Sequence, residues 1–97
     1  MMISTDKLAN LLDIAQKAIE VDGLETTKRQ RQADLSQAYK DFTERNDINE
    51  RIEADSADYK QMMDETKGEY AAAMDAKRQH KNAVGRLKTA IRRYKAA

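Results

Sequence analysis

Few residues in this sequence have side chains suited to catalysis or to tight metal binding. The chain has one His and no Cys, so thiol nucleophiles, disulfides and zinc sites built on thiolates are excluded. His80 falls at a helix-packing position between Lys77 and Val84, which predicts a half-buried packing residue rather than a general base. We interpret neighbouring carboxylates such as Asp64 and Glu65 as separate acids on a helix surface, which do not form an acid/base dyad. We therefore predict a protein that is not an enzyme and binds no metal or cofactor.

The composition favours long helices over the whole chain. Ala, Glu, Lys, Leu and Arg together make up 46 of the 97 residues, and no Pro is present to interrupt a helix. No segment resembles a signal peptide or approaches the run of about 20 apolar residues that a membrane span needs. The sequence therefore predicts a single all-α domain over residues 1–97 that is soluble and cytoplasmic.

The first predicted helix is short and covers about residues 5–21. Ser4, with Thr5 and Asp6 after it, offers side-chain oxygens that can cap the free amide groups of a helix start. Gly23 is able to take the left-handed conformation that ends a helix. One face of this helix carries apolar residues at helical spacing, which predicts that it packs on the rest of the chain or on a partner. These residues are Leu8, Leu11, Leu12, Ala15 and Ile19.

Two further helices are predicted, at about 25–45 and 47–95. The second begins where Asp47, followed three residues later by Glu50, has the layout of a capping box. It is expected to bend or break near Gly68, because an interior glycine costs a helix about 1 kcal/mol relative to Ala. A heptad register runs from Leu35 to the C-terminus. Its first core position includes Phe42, Tyr70, Lys77, Val84 and Ile91, and its second includes Ala73, His80, Leu87 and Tyr94.

This pattern predicts a short N-terminal helix followed by long helices that form an antiparallel coiled-coil hairpin or a small helical bundle. One chain offers only a thin core, so we expect a homodimer. Whether the long helix pairs within one chain or between two copies is left open by the pattern.

Charge is strongly segregated along the chain. Residues 41–75 hold 11 acids and 4 bases, whereas residues 76–97 hold 8 bases and no acid. One interpretation is structural: folding back near Gly68, or pairing two copies antiparallel about that point, would lay the basic end along the acidic middle. Phe42 would then come near Tyr94, and Ile52 near Val84.

A second interpretation is that the basic C-terminal helix binds a macromolecular partner. Five of its bases lie within about 60° of one helix surface, and Leu87 and Ile91 beside them could serve as apolar anchors. This pattern fits a protein partner with an acidic or apolar groove, for which the chain would be an adaptor, assembly factor or inhibitor. The alternative is DNA or RNA, whose phosphates the same row could follow. Anionic lipid fits less well, because the apolar face lacks Trp and Phe. The five bases are Lys77, Lys81, Lys88, Arg92 and Lys95.

Overall fold

The computed structural model describes residues 4–97, which form three helices and no strand. The helices are α1 (Thr5–Arg45), α2 (Ala57–Glu65) and α3 (Lys67–Ala96). Helix α1 packs antiparallel against α3, so the predicted all-α helical hairpin is confirmed. Within the described part of the chain, no helix combines the length and the apolar composition that crossing a membrane requires.

Helix α1 is one continuous helix of 41 residues, so the predicted break after residue 21 is wrong. Its start agrees with the prediction, because the Ser4 hydroxyl accepts a hydrogen bond from the Lys7 amide at 3.2 Å. Gly23 lies inside the helix without a positive φ. The half-buried residues Val21 and Leu24 on either side of it continue the same packing face. Glycine permits the left-handed conformation but does not impose it, and packing on α3 keeps the segment helical.

A connector over residues 46–56 reverses the chain. Helix α1 ends at the predicted place, where the Asn46 side-chain amide donates to the Phe42 carbonyl at 2.9 Å. The predicted helix start at residue 47 is wrong: Asp47 has a left-handed φ of 53° and does not cap a helix. The next helix begins ten residues later, at Ala57. Its cap is Ser56, whose hydroxyl accepts from the Tyr59 amide at 3.1 Å.

The predicted bend near Gly68 occurs two residues earlier, at Thr66, where α2 ends and α3 begins. Thr66 is buried, and its hydroxyl donates to the Met62 carbonyl at 2.7 Å. Backbone hydrogen bonds from Thr66 to Met62 and from Tyr70 to Thr66 continue across the junction. The two helices therefore form one arm of the hairpin with a local interruption.

The reversal at residues 46–56 determines which segments meet. The Lys7 ammonium lies 5.2 Å from the centre of the Tyr94 ring, and Arg86 contacts Glu20 at 2.6 Å. At the other end of the hairpin, Arg45 contacts Glu65 at 2.6 Å. The basic end of the chain thus lies along the first half of α1. The expected fold-back near Gly68, with Phe42 near Tyr94 and the basic end on the acidic middle, is wrong.

The contact between α1 and α3 is thin and rich in alanine. In α3 the buried hydrophobic residues are Ala73, Ala76, Ala83 and Ala90, and Phe42 is the only large side chain of the described residues that is fully buried. The second predicted heptad position is supported, since Ala73 is buried and His80, Leu87 and Tyr94 are half-buried. The first is supported only in part in α3, where Val84 and Ile91 are half-buried but Tyr70 and Lys77 are exposed. The buried Ala76, Ala83 and Ala90 each lie one residue before this position, and their small side chains let the two helices approach closely.

The apolar stripe predicted to pack in the N-terminal helix is also mostly exposed. Of its five residues only Leu11 is half-buried, whereas Leu8, Leu12 and Ile19 are 51%, 59% and 73% exposed. The face that meets α3 is instead lined by Leu11, Ile14, Val21 and Leu24. The chain is a rod 67 Å long and 19 Å wide, with one closed end at the connector and one open end at the termini.

Candidate basic interface

The basic segment, residues 76–97 of the chain, occupies the open half of α3. It holds eight bases and no acid, and its closest acidic neighbour in sequence is Asp75. Because it lies along the first half of α1, the acids available to neutralise it are those of that half and the adjacent Asp75. Residues 1–28 hold five acids and three bases, so the open half of the rod carries a formal charge of about +6. The remaining residues, 29–75, carry about −5.

Two bases of the basic segment form ion pairs within residues 4–97. Arg78 pairs with Asp75 one turn earlier in the same helix, and Arg86 reaches across to Glu20. The other six form no ion pair with a described residue; they are Lys77, Lys81, Lys88, Arg92, Arg93 and Lys95. All six are exposed, so the segment presents its positive charge to solvent.

A shallow groove collects part of this charge between the two helices. Lys17 contributes from α1, more than 60 residues away from the rest in sequence, and its ammonium is held by Asp13 at 2.7 Å. A Cβ atom added at Gly85 would meet no atom within 4 Å, so this part of the groove is open to solvent. The lining residues are Lys17, Lys81, Asn82, Gly85, Arg86, Thr89, Ala90, Arg92 and Arg93.

The predicted contact residues fall into three groups. Lys81 and Arg92 line the groove, whereas Lys77, Lys88 and Lys95 are exposed outside it. Leu87 is half-buried between Ala83 and Ala90, in the line of residues that meets α1. Its side chain therefore packs within the hairpin.

Ile91 is half-buried one residue beyond the buried Ala90, at the margin of that line. Of the two apolar anchors predicted from the sequence, it is the one that a partner reaches with less disturbance of the hairpin.

Three basic residues of the groove were not predicted, namely Lys17, Arg86 and Arg93. Arg93 follows the predicted Arg92 directly, and the row of bases in the sequence could have included it. Lys17 and the Arg86–Glu20 ion pair had no sequence signal, because their place depends on where the chain reverses.

The site offers positive charge and hydrogen-bond donors. His80 is half-buried in the line that meets α1, as the sequence predicts. Among residues 4–97, no three His, Asp or Glu side chains are placed so that they could bind a metal ion together. Guanidinium and ammonium groups at this spacing are suited to binding carboxylates or phosphates.

Tyr39, whose phenol has a raised pKa, lies far from this site, toward the closed end. Burial raises the pKa of its phenol, and the nearby Tyr70 and Tyr59 raise it further, while a hydrogen bond with Thr66 lowers it. Its hydroxyl contacts the Met63 sulfur at 3.9 Å. This cluster packs the closed end and is separate from the basic segment.

The structure is a helical hairpin whose open end carries the basic segment, and most bases of this segment form no ion pair with a described residue. The chain matches no protein-family model, no curated protein and no solved structure.

Proposed function

We propose that this chain is a non-enzymatic interaction protein that binds an acidic macromolecular partner through the basic segment of α3. The single observation that carries the proposal is that six of the eight bases of the segment form no ion pair with a described residue. If the basic end had packed against the acidic middle of the chain, ion pairs within the hairpin would neutralise its charge. In its actual position the segment lies along the first half of α1, where residues 1–28 hold five acids against three bases, and only one of those acids pairs with it, so most of its charge is available for a partner.

The favoured partner is an acidic protein, bound in the manner of an adaptor, assembly factor or inhibitor. The groove supports this, because Lys81, Arg92 and Arg93 line it and it is open to solvent at Gly85. Electrostatic complementarity of this kind directs association and selects partners by charge. A cytoplasmic location, as predicted from the sequence, is part of this proposal.

Nucleic acid is the second candidate, supported by the length of the basic segment. From Lys77 to Lys95 the bases extend over about 27 Å of helix, at a rise of 1.5 Å per residue. A row of this length could contact several phosphates of one strand, and such binding would weaken steeply as salt rises.

The test compares two fluorescent probes, a polyglutamate peptide and a generic DNA duplex of about 20 base pairs. The variant carries Lys81→Glu, Lys88→Glu and Arg92→Glu. The matched control carries Lys40→Glu, Lys60→Glu and Lys67→Glu, which changes the net charge equally at exposed positions outside the basic segment. We expect the variant to bind polyglutamate at least about tenfold more weakly than the control.

Each outcome separates the candidates. Binding of DNA but not of polyglutamate, with a steep salt dependence, would favour the nucleic-acid function. Equal losses in the variant and the control would mean that only the total charge matters, which contradicts a site in the basic segment. Failure of the unmodified protein to bind either probe would contradict both.

A further inference from the structure

Four apolar residues form a stripe on the outer face of α1, and no other described residue buries them. We call them the outer stripe. It consists of Leu8, Leu12, Ala15 and Ile19, all of which are exposed. At 100° per residue these positions lie about 100–160° around the helix from Ile14, which faces α3. The successive spacings of four, three and four residues are those of the core positions of a helix that packs on another helix.

We propose that the outer stripe is the interface between two copies of this chain, which pair through antiparallel α1 helices. The spacing is self-complementary. When two copies of the stripe run antiparallel about a two-fold axis between residues 12 and 15, Leu8 lies opposite Ile19 of the second copy, and Leu12 lies opposite its Ala15. A two-fold interface requires this matching of one patch with itself.

The exposed surface of the chain supports a second copy as the occupant. The accessible area is 7446 Å², whereas a compact monomer of this mass exposes about 5,700 Å². The excess exceeds the roughly 800 Å² that each partner contributes to a standard interface. The radius of gyration is 20.6 Å, against about 12.5 Å for a compact domain of this length. An isolated hairpin thus leaves more surface uncovered than an ordinary domain.

The residue that follows the stripe favours the antiparallel direction. Asp22 lies seven residues after Ala15, on the same line of the helix, and it is exposed. In a parallel pair it would lie beside Asp22 of the second copy, and the two carboxylates would repel each other. In the antiparallel pair it lies level with Thr5, the first residue of α1 in the second copy, where the free amide groups of a helix start attract negative charge.

The first test measures mass by light scattering from about 1 µM to about 1 mM, a range that covers weak and tight dimers. The unmodified protein should show twice its 11.1 kDa mass. Leu12→Glu places two carboxylates beside the two-fold axis, and it should be monomeric with its helicity unchanged. Thr27→Glu is the matched control. It adds the same charge to α1 on the line that already carries Asp13 and Glu20, and it should stay dimeric.

The second test reports the direction of pairing. The chain has no Cys, so a single introduced thiol can only link to its own copy. In the antiparallel pair two Leu12→Cys thiols are displaced along the helix by about 4–5 Å, whereas two Ile19→Cys thiols are displaced by about 16 Å. Oxidation should therefore link Leu12→Cys and not Ile19→Cys.

Three results would overturn the proposal. They are a monomer at every concentration, equal linkage of both cysteine variants, which would mean a parallel pair, and a dimer that survives Leu12→Glu, which would mean that the interface lies elsewhere. Neither test involves the basic segment, so this proposal and the proposed function can fail independently.

Discussion

The closed and open ends of the hairpin use the same two helices in different ways. At the closed end Phe42 is fully buried, Thr66 is buried in the opposite arm, and Arg45 contacts Glu65 across the arms. At the open end the only fully buried hydrophobic residues of α3 are alanines, among the described residues, and Leu8 and Leu12 of α1 are exposed. The closed end also holds most of the acids of the chain, and the open end holds the basic segment.

This difference indicates a division between stability and binding. Large buried side chains contribute most to the stability of a fold, since each removes a large apolar area from water. A seam of alanines contributes less, but it leaves charge and apolar side chains at the surface. The closed end therefore holds the hairpin together, while the open end is the half with surface available for other molecules.

The largest expected effect is at the closed end. Phe42→Ala removes the one large, fully buried side chain of the described residues and should lower the free energy of unfolding by about 3–5 kcal/mol, measured by chemical denaturation. Met74→Ala, at an exposed position, is the control and should cost less than about 1 kcal/mol. Similar costs for the two variants would contradict the assignment of Phe42 as the main packing residue.

A smaller effect is expected from overpacking the alanine seam. Ala83→Leu adds a large side chain where α1 and α3 meet, and it should destabilise the hairpin by about 1–3 kcal/mol. Ala71→Leu makes the same change at an exposed position of α3 and should be close to neutral. If Ala83→Leu instead raised the midpoint of thermal unfolding, the open end would be loosely packed rather than closely packed.

Gly23→Ala should stabilise the protein by about 1 kcal/mol, since Gly23 lies inside α1 and an added Cβ would meet no atom within 4 Å. Thermal unfolding of the variant and the unmodified protein measures this difference. Destabilisation by the same change would mean that the chain needs a left-handed residue there and that α1 is two helices, as the sequence suggests.

The smallest effect is at alkaline pH. The pKa of Tyr39 is raised in the folded state, so the fold retains its phenolic proton more tightly than the unfolded chain does. Stability from this group is therefore present below the ordinary tyrosine pKa of about 10 and falls as the pH rises through the raised value. Tyr39→Phe should reduce the loss of stability between neutral and alkaline pH, as followed by denaturation at a series of pH values. An identical loss in both proteins would contradict this.

Some of the candidate site was predictable from the sequence. The five predicted bases are exposed in the structure, because an acid-free run in an amphipathic helix has no local partner. The sequence also placed them on one side of the helix, but it could not predict which of them line a groove with α1. Lys81 and Arg92 share a groove with Lys17 because of the fold-back, and Leu87 contacts the hairpin rather than the exterior for the same reason.

The sequence by itself determined the helical state, the Ser4 cap, the end of α1 at Asn46 and the separation of charge. These features depend on residues within one or two turns of each other, where propensity and capping act. Only the tertiary structure decided that α1 continues through Gly23, that the chain reverses at residues 46–56, and that Leu8, Leu12 and Ile19 are exposed. A helix with two apolar lines can bury either one, and the choice depends on which distant segment packs against it. Here the alanine line of α3 selects Ile14 and Val21, and the other line remains at the surface.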